Sequence, residues 1–172
     1  DWKAMAQDNT LQMIKGMAFR VSDCNKDYSV CATYPQSFVV PLCASDTVVR
    51  HAARFRSHNR LAVLSFIHRS TEDPQGSPIE GIVGAIIRSS QPLAGLTNRR
   101  STQDEFLVRS MASVCTKPLV IVDARSQASV LANAVQGKGT ESVEGYKAGR
   151  LLYLNLPNMH AVREWLPDRA CD

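Results

Sequence analysis

Residues 117–141, with the sequence KPLVIVDARSQASVLANAVQGKGTE, decide the fold that we predict for this chain. Residues 119–122 form a short apolar run rich in β-branched side chains, which is typical of a strand buried on both faces. Asp123 and Arg125 follow directly, where such a strand would reach its carboxyl end. A helix is predicted next, because apolar residues recur at helical spacing and Gly137 offers a C-terminal stop. Those apolar residues are Ala128, Leu131, Ala132 and Val135.

The polar residues after this strand have two interpretations. Open α/β sheets bind ligands at the carboxyl ends of their strands, so Asp123, Arg125 and the nearby Asn133 are candidates for a site. The alternative is structural: a core strand, an ion pair between Asp123 and Arg125, and a helix that covers them. Taken alone, the stretch favours the structural interpretation.

Length and composition restrict the class of protein. The chain has 172 residues, 44% of them hydrophobic and 21% charged, which indicates one folded globular domain. A net charge of +4 suits an anionic ligand or a membrane surface but does not argue for nucleic acid, and we predict no nucleic-acid partner. The five cysteines form no Cys-x-x-Cys pair, which indicates reduced thiols in a cytosolic protein. The chain begins at Asp1 rather than at a methionine, which indicates a piece of a longer protein.

Strand-like and helix-like segments alternate along the rest of the chain. Ser45 and Asp46 are good N-caps for one helix, and Thr102 to Glu105 reads as a capping box for another, with Phe106, Leu107, Met111 and Val114 turned inward. Short apolar runs predict strands at 19–21, 38–40, 61–67, 82–87 and 151–156, and a last helix at 159–166. This alternation predicts an α/β domain with a largely parallel sheet and flanking helices.

Three further groups of polar residues are candidates for function. Residues 88–92, RSSQP, follow a predicted strand and suit an anion, although serines that satisfy turn backbone explain them slightly better. Asn158 is explained by helix capping, but the helix start at Met159 also suits an anion. A run of arginines is expected to be a solvated basic face, at Arg50, Arg54, Arg56, Arg60 and Arg69.

Several known sites are excluded by spacing. Residues 137–140, GKGT, lack the spacing and the preceding strand of a phosphate-binding loop, and residues 81–84 lack the third glycine of a dinucleotide site. The histidines and cysteines do not cluster at zinc spacing, so we predict no metal. No cysteine is followed six residues later by arginine, so the chain contains no cysteine-phosphatase loop.

Motifs spread over nearly the whole chain resemble, in order, those of the myotubularin phosphatase domain. They are FRVS at 19–22, NKDYSVC at 25–31 with YP at 34–35, FRS at 55–57 with RLAVLS at 60–65, IRSSQPLAG at 87–95, DAR at 123–125, AN at 132–133 with GKGTE at 137–141, and NMH at 158–160. The chain is therefore identified as the N-terminal portion, residues 1–172, of one incomplete domain of this family.

The resemblance implies a cysteine-phosphatase-like fold that is truncated before the phosphate loop. It implies a 3-phosphatase for phosphatidylinositol 3-phosphate and the 3,5-bisphosphate, without metal or organic cofactor. Asn133, Asn158 and Met159 match positions that line the headgroup pocket, whereas no catalytic residue lies in this chain. The family also implies a cytoplasmic protein, peripheral on endosomal-type membranes, that forms homo- or hetero-oligomers with related phosphatases.

Two other hypotheses stay open at this point. One is that the chain belongs to a catalytically inactive pseudophosphatase or adaptor that pairs with an active relative. The other is that the chain is a truncation product without function. Because the Cys-x5-Arg loop lies downstream of these motifs in the family, we expect no phosphatase turnover from residues 1–172 alone.

Overall fold

The computed structural model describes residues 18–68, 82, 84–95, 97–115, 117–146, 149–157 and 162–163. Within them, strands and helices alternate along the chain, which confirms the α/β class. The strands are β1 (Phe19–Ser22), β2 (Phe38–Pro41), β3 (Val63–His68), β4 (Gly84–Arg88), β5 (Val120–Asp123) and β6 (Arg150–Tyr153). The helices are α1 (Asp46–Arg54), α2 (Thr102–Ala112), α3 (Gln127–Val135) and α4 (Val143–Tyr146), with a 3-10 turn at Ser57–Asn59.

The strands pair two by two. β1 with β2 and β3 with β4 are antiparallel, whereas β5 and β6 are parallel, with Val120 opposite Arg150. An isolated parallel bridge joins Ile82, just before β4, to Cys115, before β5. The chain therefore runs in the same direction at Ile82 and at Cys115, but no ladder joins β4 to β5 in the described residues. A largely parallel sheet is thus not confirmed.

Helix starts follow local capping chemistry. Ser45 caps α1 as predicted, with its hydroxyl accepting the N–H of Val48 at 3.4 Å. In α2 the cap is Ser101, which accepts the N–H of Asp104 at 3.3 Å, so the predicted capping box at Thr102 is wrong by one residue. Phe106 is 38% exposed, contrary to the prediction that it faces the core, whereas Leu107 and Met111 are buried as predicted.

The core lies between β1, β2, α1, β3 and α2. Helices α1 and α2 pack on each other, and α2 also contacts β2. Large apolar side chains that are almost fully buried fill this space: Phe19, Phe38, Val40, Val49, Leu61, Leu107 and Met111. This part of the chain has the dense packing that holds polar side chains in fixed positions.

The part of the chain around β5 and α3 is more open than predicted. Val120 and Val122 are 40% and 52% exposed, so the prediction of a strand buried on both faces is wrong for the described structure. Leu131 and Val135 of α3 are 71% and 79% exposed, and α3 buries no residue. The apolar stripe is present, but no described element covers it. Gly137, at φ +75°, ends α3 where predicted.

Gly139 is held against Ala94, and we expect its replacement by alanine to destabilise the protein. Its N–H donates to the carbonyl of Pro92 at 2.8 Å, and a Cβ at this position would lie 2.7 Å from the Cβ of Ala94. Gly139→Ala should lower the free energy of unfolding in urea by about 1–3 kcal/mol because backbone must shift. Gly84→Ala is the matched control, since its Cβ would meet no atom within 4 Å. Equal losses for the two variants would contradict this account.

Candidate functional site

A cleft of about 570 Å³ separates β4 from β5. Consecutive residues line each wall, as expected where a strand presents its edge rather than a face. One wall consists of residues 85–91 and the other of residues 119–125, and Arg56, Glu141 and Tyr146 also contribute to the lining. Residues 88–91 of the predicted polar group 88–92 and the Asp123–Arg125 pair therefore line the same space.

Arg56 is the buried centre of the polar network beside the cleft. It is 1% exposed, so the prediction that it belongs to a solvated basic face is wrong. Its Nε and Nη2 donate to the two carboxylate oxygens of Asp104, both at 2.7 Å, in a bidentate pair. Its Nη1 donates to Glu141 and to the carbonyl of Ser90, the latter at 3.0 Å. The two carboxylates compensate a charge that burial would otherwise penalise.

The other arginines of the predicted basic face behave differently. Arg50 and Arg54 are exposed as expected, and Arg60 is partly buried, with its Nε donating to Thr33 at 2.8 Å. Arg69 lies outside the described residues. Arg56 differs from its neighbours because it follows α1 and bridges to Pro92 at the end of β4.

Tyr146 completes the network. Its hydroxyl donates to Asp104 at 2.9 Å and accepts from Nη2 of Arg56 at 3.2 Å, and Cζ of Arg56 lies 5.8 Å from the ring centroid. Burial raises the pKa of Tyr146; the charge of Arg56 lowers it, and Glu141 and Asp104 raise it further. Burial lowers the pKa of Arg56, but the two carboxylates outweigh this and the pKa is raised. Both groups therefore keep their protons at neutral pH, which suits a structural role rather than proton transfer.

Asp123 and Arg125 form the predicted ion pair on the opposite wall. Nε of Arg125 donates to Oδ1 at 2.9 Å and Nη2 donates to Oδ2 at 2.6 Å, while the backbone N–H of Arg125 also donates to Oδ1. Burial raises the pKa of Asp123, but these hydrogen bonds outweigh it and the pKa is lowered. Nη2 of Arg125 also reaches the carbonyl of Gly139 at 3.3 Å. The predicted ion pair is confirmed, whereas the buried strand and the covering helix of the structural interpretation are not.

Two buried polar atoms in residues that line the cleft have no hydrogen-bond partner within the described structure. One is Nη1 of Arg125, a donor, and the other is Oε2 of Glu141, an acceptor. Buried polar atoms are normally paired, so each unpaired atom calls for a partner. Both atoms are buried, so an occupant of the cleft would reach them only if the two side chains moved.

The serines at the end of β4 are used by the protein itself. The hydroxyl of Ser90 donates to the carbonyl of Ser57 at 2.6 Å, and its N–H donates to the carbonyl of Arg60 at 3.0 Å. The hydroxyl of Ser89 accepts from Nη1 of Arg56 at 3.3 Å. The backbone-satisfying alternative is therefore confirmed for Ser90, and Arg88 is left exposed at the strand end.

Asn133 is the one residue of the implied headgroup pocket that the structure describes, and it lies beside the end of β4. Its Oδ1 accepts from Nε2 of Gln91 at 3.4 Å and from Nζ of Lys138 at 3.1 Å. Its Nδ2 donates to the carbonyl of Ser129 at 2.7 Å. Asn158 and Met159 lie outside the described residues. The structure thus links Asn133 through Gln91 to the cleft wall.

The network around Arg56 was missed as a site by sequence reasoning. Asp104, Glu141 and Tyr146 are 48, 85 and 90 residues from Arg56 along the chain. Glu141 occurs in the GKGTE motif that contributes to the family resemblance, but no local pattern connects it or Tyr146 to an arginine. Only the tertiary fold brings these side chains together.

Metal and membrane features are limited in the described part of the chain. It contains no cluster of three or more His, Cys, Asp or Glu side chains that could hold a metal ion. Of the helices in the described ranges, none has both the length and the apolar composition needed to cross a bilayer.

Comparison with known proteins gives the family. Residues 1–168 match the family described as the myotubularin-like phosphatase domain. The chain is 42% identical over 134 residues to the phosphoinositide 3-phosphatase of Saccharomyces cerevisiae, covering 74% of this chain and 18% of the relative. It is 36% identical over 151 residues to myotubularin of Xenopus tropicalis, covering 86% and 23%. With phosphatidylinositol-3-phosphatase myotubularin-2 of Arabidopsis thaliana it shares 36% identity over 170 residues, covering 93% and 19%.

These matches confirm the resemblance seen in the motifs. The chain spans about a fifth of the length of each of these relatives. The match to the family model nonetheless extends over residues 1–168, which include the segments that line the cleft. The chain therefore belongs to the myotubularin family.

Proposed function

We propose that this chain is the N-terminal portion of the catalytic domain of a phosphoinositide 3-phosphatase. The observation that carries the proposal is the family match over residues 1–168, together with relatives whose names state this activity. The substrate is then phosphatidylinositol 3-phosphate or its 3,5-bisphosphate at a membrane surface. The protein would work in the cytoplasm, peripherally on endosomal-type membranes, alone or paired with a related phosphatase.

The chemistry would be nucleophilic catalysis by a cysteine thiolate. The thiolate attacks phosphorus, the bond from phosphorus to the inositol oxygen breaks, and water then hydrolyses the phosphocysteine. No cysteine of residues 1–172 is followed six residues later by arginine, so another part of the protein must supply this loop. The present residues contribute the surrounding wall, and Asn133 would hydrogen-bond the headgroup, with Asn158 and Met159 nearby.

We infer that the cleft between β4 and β5 receives a further strand of the same catalytic domain. β4 hydrogen-bonds to β3 on one side and β5 to β6 on the other, and the remaining edges line the cleft. The Ile82–Cys115 bridge holds the strands together at one end, beyond which they separate. A strand parallel to both would give a largely parallel sheet with β3 as its antiparallel edge.

The open strand edges support this inference. An inserted strand would pair with the backbone N–H and C=O groups on the cleft-facing edges of β4 and β5, which have no ladder partner in the described residues. An inserted strand would also place its side chains beside those of Val120, Val122 and Ile86, which are exposed in the described structure.

The test compares the complete protein with residues 1–172 on vesicles that contain phosphatidylinositol 3-phosphate. We expect phosphate release from the complete protein and none from residues 1–172. In the complete protein, Asn133→Ala should lower kcat/KM roughly tenfold, which corresponds to one lost hydrogen bond to the substrate. The control is Asn98→Ala, because Asn98 is exposed in a loop. A folded but inactive complete protein would favour the pseudophosphatase hypothesis, and turnover by residues 1–172 would contradict the proposed mechanism.

A further inference from the structure

Lys138 carries a positive charge that is bound only by neutral groups in the described structure. Its Nζ donates to Oδ1 of Asn133 and to Oε1 of Gln136, both at 3.1 Å. None of the ion pairs formed by the described residues includes it. An ammonium group has three N–H donors, so one remains for another acceptor.

The position of Lys138 at the end of α3 has a structural explanation that must be weighed. The C-terminus of a helix carries partial negative charge, and a lysine there is stabilising by itself. The backbone N–H of Lys138 also stabilises this end of the helix, because it donates to the carbonyl of Asn133 at 3.1 Å. The same partial charge, however, would repel any phosphate that approaches Asn133. A headgroup at Asn133 therefore requires a cation on this side.

The two arginines beside the cleft that bind carboxylates are poorly suited to that task. Arg125 is bound to both carboxylate oxygens of Asp123, and Arg56 is buried between Asp104 and Glu141. Lys138 instead contacts Asn133 directly, is partly exposed and has no acidic partner in the described ranges. Among the described cations that contact Asn133, Lys138 is the one that can turn a donor toward a ligand.

We propose that Lys138 binds a phosphate of the headgroup other than the one that is hydrolysed. This inference rests on the proposed function, because it takes Asn133 as part of the headgroup pocket. The 3,5-bisphosphate offers two such groups, the phosphodiester that links the inositol to the lipid and the 5-phosphate, whereas phosphatidylinositol 3-phosphate offers only the phosphodiester. Both are anionic acceptors for an ammonium group, and substrates with and without the 5-phosphate distinguish them.

The variant Lys138→Gln, made in the complete protein, tests the proposal. Glutamine keeps a hydrogen-bonding side chain but removes the charge. We expect kcat/KM to fall roughly tenfold, mainly through KM, on vesicles of phosphatidylcholine that contain the substrate. A fall for the 3,5-bisphosphate alone identifies the 5-phosphate, and an equal fall for the 3-phosphate identifies the phosphodiester. Lys138→Arg should retain most of the activity, and Lys26→Gln, at an exposed loop position, is the control.

The possible failures are distinguishable. If the wild-type protein hydrolyses both lipids and Lys138→Gln stays within about twofold on each, this inference is wrong and the proposed function stands. If the folded wild-type protein hydrolyses neither lipid, the proposed function is wrong and the inference is wrong with it. Thermal unfolding of each variant separates a binding defect from loss of the fold.

Discussion

Replacing Arg56 by methionine is expected to lower the free energy of unfolding by about 3–5 kcal/mol. The guanidinium is 1% exposed and pairs with Asp104, which is fully buried, and with Glu141. Methionine fills similar space but leaves both carboxylates without a compensating charge. Tyr146 can still donate to Asp104, but one neutral hydrogen bond does not replace a bidentate ion pair.

Urea unfolding of the purified protein measures this effect, with Arg54→Met as the control. Arg54 lies in the last turn of α1, two residues before Arg56, is exposed and forms no ion pair in the described residues. The loss of stability in Arg54→Met should therefore stay within about 0.5 kcal/mol. If Arg56→Met does not fold, Arg56→Lys provides a milder test, because lysine keeps the charge but loses the planar fork. Asp104→Asn, added to Arg56→Met, should restore part of the lost stability. Similar losses for the variants at Arg56 and Arg54 would contradict the network.

The Arg56 network also shows the limit of inference from sequence. Asp123 and Arg125 are two residues apart, so their ion pair could be predicted from local spacing alone. Arg56 follows exposed arginines, and its nearest acidic partner is 48 residues away. A charge run predicts a solvated face on local grounds, and only long-range packing reverses that expectation.

A similar distinction applies to β5 and α3. The apolar pattern correctly located the strand, the helix and its end at Gly137, because these depend on periodicity and on one backbone angle. Burial depends on what lies against the apolar face, which periodicity does not contain. Val122 and Leu131 therefore lie in elements that were located correctly, but their side chains are exposed because no described element covers them.

Asn25 is the second position where we expect a large loss of stability. Its side chain is fully buried and links a loop that has no regular secondary structure. Oδ1 accepts the N–H groups of Val30 and Cys31 at 3.1 and 2.9 Å. Nδ2 is within hydrogen-bond distance of the carbonyls of Cys31, Tyr34 and Pro35, at 3.0, 3.3 and 2.8 Å. The amide of Asn25 thus satisfies backbone groups that would be hydrogen-bonded to a neighbouring strand if the segment were part of a sheet.

Asn25→Asp keeps the shape of this side chain and should lower the free energy of unfolding by about 3 kcal/mol or more. The introduced carboxylate still accepts the two N–H groups, but its second oxygen faces three carbonyls where a donor is required. The charged form is disfavoured by burial and by these carbonyls, so the variant binds a proton more tightly when folded than when unfolded. The deficit relative to wild type should therefore be largest near neutral pH and shrink as the pH falls, because the protonated acid regains one donor. Urea unfolding at two pH values, with Asn98→Asp as an exposed control at φ 49°, measures both effects. A deficit that does not depend on pH would contradict this account, because the charge of the introduced carboxylate would then not be what destabilises the loop.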